Sequence, residues 1–132
     1  MLLVRALYYS SAALDSREEV AAILDAARRN NPALGLTGVL VCDRGRFLQV
    51  LEGARPAVSA MLARLAGDKR HYNLALAELI EIPERSFPDF AMGFIDADSG
   101  FSPLRLTDFD AAPAEALHRQ IEAYRETLTR AA

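Results

Sequence analysis

Three polar or polarisable side chains sit where a buried strand would carry aliphatic ones. Gln49 lies within FLQVLEG (47–53), Tyr8 within LLVRALYY (2–9) and Met92 within DFAMGFIDA (89–97). Strand side chains alternate between two faces. Gln49 therefore shares a side with Phe47 and Leu51, Tyr8 with Leu2, Val4 and Ala6, and Met92 with Phe90 and Phe94. A primary carboxamide brings two donors and an acceptor into oil. Without partners it costs about 1–3 kcal/mol. Each residue alone has a structural explanation: a packed tyrosine with its hydroxyl in water, a solvated glutamine, a core-filling methionine. Asn30 and Asn31 leave a helix near the same side, where NNP would otherwise read as a helix end and turn. A phenol, amides and a thioether on one face suit a flat ligand with an amide-like edge.

The elements that must position these groups follow from periodicity. LLVRALYY (2–9) alternates as a first strand. SREEVAAILDAARRNN begins with Ser16, and Glu19 completes a capping box. Val20, Ile23, Leu24 and Ala27 recur at helical spacing. Pro32 places the helix end at Arg29 or Asn30. GLTGVLVC (35–42) and RFLQVLEG (46–53) are two strands joined by DRG, with glycine where positive φ is wanted. RPAVSAMLARLAG (55–67) is a second helix, with Pro56 in its first turn and Gly67 as its stop. YNLALAELIEI (72–82) and DFAMGFIDA (89–97) are the fourth and fifth strands. PAEALHRQIEAYRETLTR (113–130) is a tail helix with Leu117, Ile121, Tyr124 and Leu128 on one stripe.

The order βαββαβ plus a strand is an α+β, ferredoxin-like arrangement: a five-stranded mixed sheet with two helices on one face. The tail covers either the chain's own second face or a partner subunit. Residues 1–97 form the expected ligand-binding domain and 98–132 the helical extension.

The 132 residues carry 15 Lys and Arg against 18 Asp and Glu, a net charge of −3, which argues against direct nucleic-acid binding. The single cysteine, Cys42, permits no internal disulfide and reads as a structural thiol. No apolar run reaches the length of a membrane span, and LLVRAL lacks a cleavage signal, so a cytoplasmic protein is expected. Glu52 alternates onto the face opposite Gln49 and reads as structural or solvated. His71 and His118 are too far apart to suggest a metal site, and His118 reads as a solvated helix histidine.

Five landmarks now stand in order: LVRALYYSS (3–11), ARRNNPALGLTGVLV (27–41), GRFLQVLEG (45–53), RLAGDKRH (64–71) and RSFPDFAMGF (85–94). Over about residues 1–97 the chain resembles the BLUF domain, the flavin-using blue-light sensors of bacteria. The resemblance implies FAD, with FMN as the other candidate, held noncovalently between the two helices. It implies Tyr8 as the photoactive tyrosine, Gln49 as the essential glutamine and Met92 as the switch methionine. Asn31 would bond the pyrimidine edge of the ring, with Asn30 beside it. Arg64, Asp68 and His71 would lie near the ribityl and phosphate end, and Ile23, Phe47 and Leu65 would complete the contacts. Phe90 stands where many members carry tryptophan, and the chain has no tryptophan, so an indole exchange is unavailable to it. The implied function is a noncatalytic photoreceptor, forming a homo-oligomer and passing its signal to a separate downstream protein. Two alternatives are a small flavin-dependent oxidoreductase and an interaction module without flavin. No Gly-rich dinucleotide loop or nucleophile–base pair supports the oxidoreductase.

Overall fold

The computed structural model describes residues 2–12, 17–43, 45–68, 71–96, 109–123, 125 and 128. Its elements are β1 (Leu3–Ala12), α1 (Arg17–Leu34), β2 (Thr37–Asp43), β3 (Arg46–Ala54), α2 (Arg55–Ala66), β4 (His71–Ile82), β5 (Gly93–Asp96) and α3 (Ala114–Ala123). The strands form one sheet in the order β4-β1-β3-β2-β5. β1 runs antiparallel to β3 and β4, β2 antiparallel to β3, and β5 parallel to β2. This is the expected mixed ferredoxin-like sheet with one strand added.

Alternation along the strands divides the core in two. Val4, Ala6, Tyr8, Leu40, Phe47 and Leu51 face α1 and α2, where Leu24 and Val58 are buried against them. Leu7, Val39, Val41, Leu48 and Val50 face the other way and meet Phe87, Phe109, Leu117, Ile121 and Leu128. The described part of the tail thus packs on the chain's own sheet. Two glycines permit this packing. Gly45 takes φ 74° in the β2–β3 hairpin, as the DRG turn requires. At Gly38 a Cβ would lie 2.0 Å from the Val50 carbonyl oxygen, so no side chain fits between β2 and β3 there.

Four expectations need correction or limits. The first helix does not end at Arg29 or Asn30 but runs through Pro32 to Leu34. Proline in the last turn forfeits one donor there, and the turn closes on backbone bonds from Gly35 and Leu36 to the Pro32 and Asn31 carbonyls. The fifth strand begins at Gly93, not at 89, because Ala91 and Met92 form a bend. That bend breaks the period-two count, so Phe90 packs in the tail-side cluster while Met92 packs under the helices. The tail helix is shorter than 113–130, and Leu128 is buried beyond its end. Ser16 of the capping box and Tyr124 of the tail stripe lie outside the described residues.

Candidate functional site

Tyr8 on β1 and Gln49 on β3 are cross-strand partners, and Leu40 on β2 extends the same row. Such neighbours on one face of an antiparallel pair stand close enough for their side chains to interact. Both are covered: Tyr8 is 3% exposed and Gln49 8%. A cavity of about 260 Å³ opens beside them, between α1, α2 and the sheet. Gln49, Leu51 and Met92 form its floor, Ile23, Asn30 and Asn31 come from α1, and Met61, Arg64, Leu65 and Asp68 come from α2 and the turn after it. A smaller recess of about 30 Å³ lies at Tyr8, Ser10 and Phe47 and shares Ile23, Gln49, Leu65 and Asp68 with the larger cavity.

The sequence-predicted residues Tyr8, Ile23, Asn30, Asn31, Phe47, Gln49, Arg64, Leu65, Asp68 and Met92 therefore line two adjoining recesses of one slot. The side chain of His71 lies outside the described residues. Alternation identified the strand members. Helical spacing placed Ile23 and Leu65 on inward stripes.

The hydrogen bonds in the slot are incomplete. The Gln49 amide donates from Nε2 to Met92 Sδ at 3.6 Å, within reach of a sulfur acceptor. Asn31, 1% exposed, donates from Nδ2 to the Ala91 carbonyl at 2.8 Å. Its Oδ1 is buried without a partner, and so is the Tyr8 hydroxyl. Burial pushes the Tyr8 pKa well above the usual phenol value, so the side chain is held neutral with a proton to donate. The slot thus presents a free acceptor on Asn31, a free donor on Tyr8 and the Gln49 amide, which can serve as either and lines both recesses. A buried unsatisfied group costs about 1–3 kcal/mol, and a ligand with complementary polar edges would recover that at both atoms. The mouth carries the exposed Arg64 and the half-buried Asp68, a polar rim on a mostly apolar cleft.

Sequence reasoning missed Arg28, which donates from Nε to the Met92 carbonyl at 3.0 Å. Its position one turn before Asn31 was the available signal, but the bend it contacts was read as strand. Ser10 also escaped notice, although alternation put it on the Tyr8 side; Met61 shares the stripe of the second helix with Val58, Leu62 and Leu65 but was not among the expected site residues.

On the opposite face Glu52 is fully buried and structural, as one of its two readings had it. Its carboxylate accepts from the backbone N–H of Ser86 at 2.7 Å and of Phe87 at 2.9 Å. His118 is not solvated: it is 3% exposed, packs edge-on against Phe87 and places Nδ1 at 3.0 Å from Glu122. His118 stands off the stripe of Leu117, Ile121, Tyr124 and Leu128, but Ser86 and Phe87 fold over that side of the helix. Cys42 is half-buried. Among the described residues no cluster of His, Cys, Asp and Glu could hold a metal ion, and no helix is long and apolar enough to cross a membrane.

A family model described as BLUF, sensors of blue light using FAD, matches residues 3–93. The beta subunit of the photoactivated adenylate cyclase of Euglena longa is 34% identical over 73 residues, covering 55% of this chain. The match spans only 8% of that relative's length. BlrB, a BLUF protein solved in its dark state, superimposes with a TM-score of 0.79 at 30% identity, covering 92% of this chain and 96% of that one. A bacterial light-regulated adenylyl cyclase gives a TM-score of 0.70 at 27% identity, with 95% of this chain and 35% of that chain covered.

Proposed function

The chain belongs to the BLUF family, sensors of blue light using FAD, and on that premise we propose that it is a noncatalytic photoreceptor whose switch is made by Tyr8, Gln49 and Met92. The observation that carries this reading is the pair of buried, unpartnered polar atoms, Tyr8 Oη and Asn31 Oδ1, on residues lining two recesses that share Gln49. A flavin ring, with a donor at its pyrimidine N–H and acceptors along the adjoining edge, complements both. Asn31 spends one of its two Nδ2 donors on Ala91, and its unpartnered Oδ1 would accept from the ring N–H. Asn30, Ile23, Phe47 and Leu65 would line the ring. Arg64, Asp68 and His71 would meet the polar chain of FAD, the cofactor we favour over FMN.

When bound, a photoexcited flavin supplies a strong electron acceptor. Tyr8 is the electron donor, and its hydroxyl proton leaves toward Gln49, the cross-strand neighbour. Recombination would return the electron and the proton to Tyr8 and leave the same atoms, with the donor and acceptor ends of the Gln49 amide exchanged. That exchange removes the N–H from Met92 Sδ and sets an acceptor against the sulfur, so Met92 is no longer held. One exchanged hydrogen bond is worth about 1 kcal/mol net, too little to drive a large two-state shift alone. Amplification falls to the bend at 91–92, to β5 and to the covering extension at 98–132, with residues 1–97 as the flavin-binding part. The output is a change in self-assembly or in contact with a separate downstream protein, in the cytoplasm. Effectors such as the adenylyl cyclases to which similar domains are joined indicate the kind of partner.

The test is optical. Purified protein should be yellow, and its main band should move to longer wavelength under blue light and return in darkness. Tyr8→Phe should keep the colour and abolish the shift. Colourless protein, or a band that bleaches only with a reductant substrate, would overturn the reading.

A further inference from the structure

Arg28 reaches the switch from outside the slot. It is half-buried on α1 and does not line the cavity, yet its Nε donates to the main-chain carbonyl of Met92 at 3.0 Å. One helical turn later, Asn31 donates to the preceding carbonyl, Ala91, at 2.8 Å. Residues at i and i+3 share a helix face, so two side chains of α1 grip two successive carbonyls of one bend. The same bend presents the Met92 sulfur to the Gln49 amide. Where the helix holds these carbonyls, the backbone from which the buried Met92 side chain projects is held with them.

We propose that Arg28 is a positioning residue that registers Met92 against Gln49 and thereby favours the resting state. The proposal rests on the photoreceptor reading above and adds a residue to it. Its bond is charge-assisted, and it acts on the Met92 backbone carbonyl. Return to the resting state requires the Gln49 N–H to find the sulfur again. With the carbonyl released, the bend samples other positions and that return slows.

The experiment uses the full chain with its flavin. Arg28→Met keeps the aliphatic stem and removes every donor. It should retain flavin and the light-induced shift, and its dark recovery should slow on the order of five- to tenfold. Arg28→Lys keeps a cationic donor and should recover within about twofold of the parent rate. Met92→Leu removes the sulfur acceptor. Adding Arg28→Met to it should change recovery little, because both act through one contact and their effects should not add. Parent-like recovery in Arg28→Met, full additivity with Met92→Leu, or loss of flavin from Arg28→Met would each overturn the assignment. Absence of any photocycle in the unsubstituted protein would instead overturn the photoreceptor reading itself.

Discussion

Tyr9 donates its hydroxyl to Asp110 at 2.5 Å and packs against Phe109, whereas the neighbouring Tyr8 turns inward and its hydroxyl has no partner. Alternation alone separates the two tyrosines, and burial then separates their chemistry. Because burial raises the Tyr8 pKa, the phenol stays protonated where an ordinary one would begin to ionise. An unperturbed phenol of pKa about 10 would be roughly a quarter ionised at about pH 9.5. The amplitude of the light-induced shift should therefore be the same at about pH 9.5 as at neutrality. A loss of about a quarter of the amplitude, measured by difference spectra on flavin-loaded protein, would show that the phenol titrates normally.

The segment between β4 and β5 is the element on which the switch depends, and it is tied at both ends. At its start, the buried Glu52 carboxylate accepts from the Ser86 and Phe87 N–H groups, while Arg85 bonds the Gly35 and Glu52 carbonyls. At its finish, Arg28 and Asn31 hold the carbonyls at 91–92. Glu52 and Gln49 belong to the same strand but serve opposite faces, so the two roles can be separated. Glu52→Gln turns an amide N–H toward backbone donors and should cost about 1.5–3 kcal/mol in denaturant titrations. The absorption band of the loaded protein should not move. A band shift without a stability loss would mean that Glu52 acts on the slot and not on the loop.

Seen as a whole, the molecule has two cores on one sheet: a polar-edged slot under α1 and α2, and a continuous apolar core under α3. At the second, on the same side of the sheet as the Glu52 carboxylate, His118 is buried. Burial lowers its pKa and the Arg5 guanidinium lowers it further, against opposition from Glu122 and Glu78. A histidine kept neutral by the fold takes a proton more readily when unfolded. As pH falls through its ordinary value of about 6.5, the unfolded state gains protons first and stability drops, until the lowered folded pKa is reached. The parent protein should therefore lose more melting temperature between about pH 7.5 and pH 5.5 than His118→Gln does. Equal losses in the two proteins would remove His118 as the cause. Ser86 donates to Glu122, and Arg125 bonds the Ser86 carbonyl, so this packing joins α3 to the loop that carries Met92.

Local rules sufficed for much of this protein. Period-two alternation put Tyr8, Phe47, Gln49 and Leu51 on one face and Tyr9 and Glu52 on the other. Helical spacing found the inward stripes of both sheet-covering helices, and the order of five short motifs pointed to the family. These features are legible because each is fixed by residues adjacent in the chain. Three others were decided by contacts between distant segments. α1 continues past Pro32, since Asn31 is anchored to Ala91 and the turn closes behind it. Phe90 and Met92 part company, since a bend shaped by Gly38, Arg28 and Asn31 interrupts the alternation. His118 is buried, since a loop more than thirty residues earlier (Ser86 and Phe87) folds over it. A periodic pattern reports which way a side chain points only while the backbone stays regular; where it bends, the partners that make it bend decide.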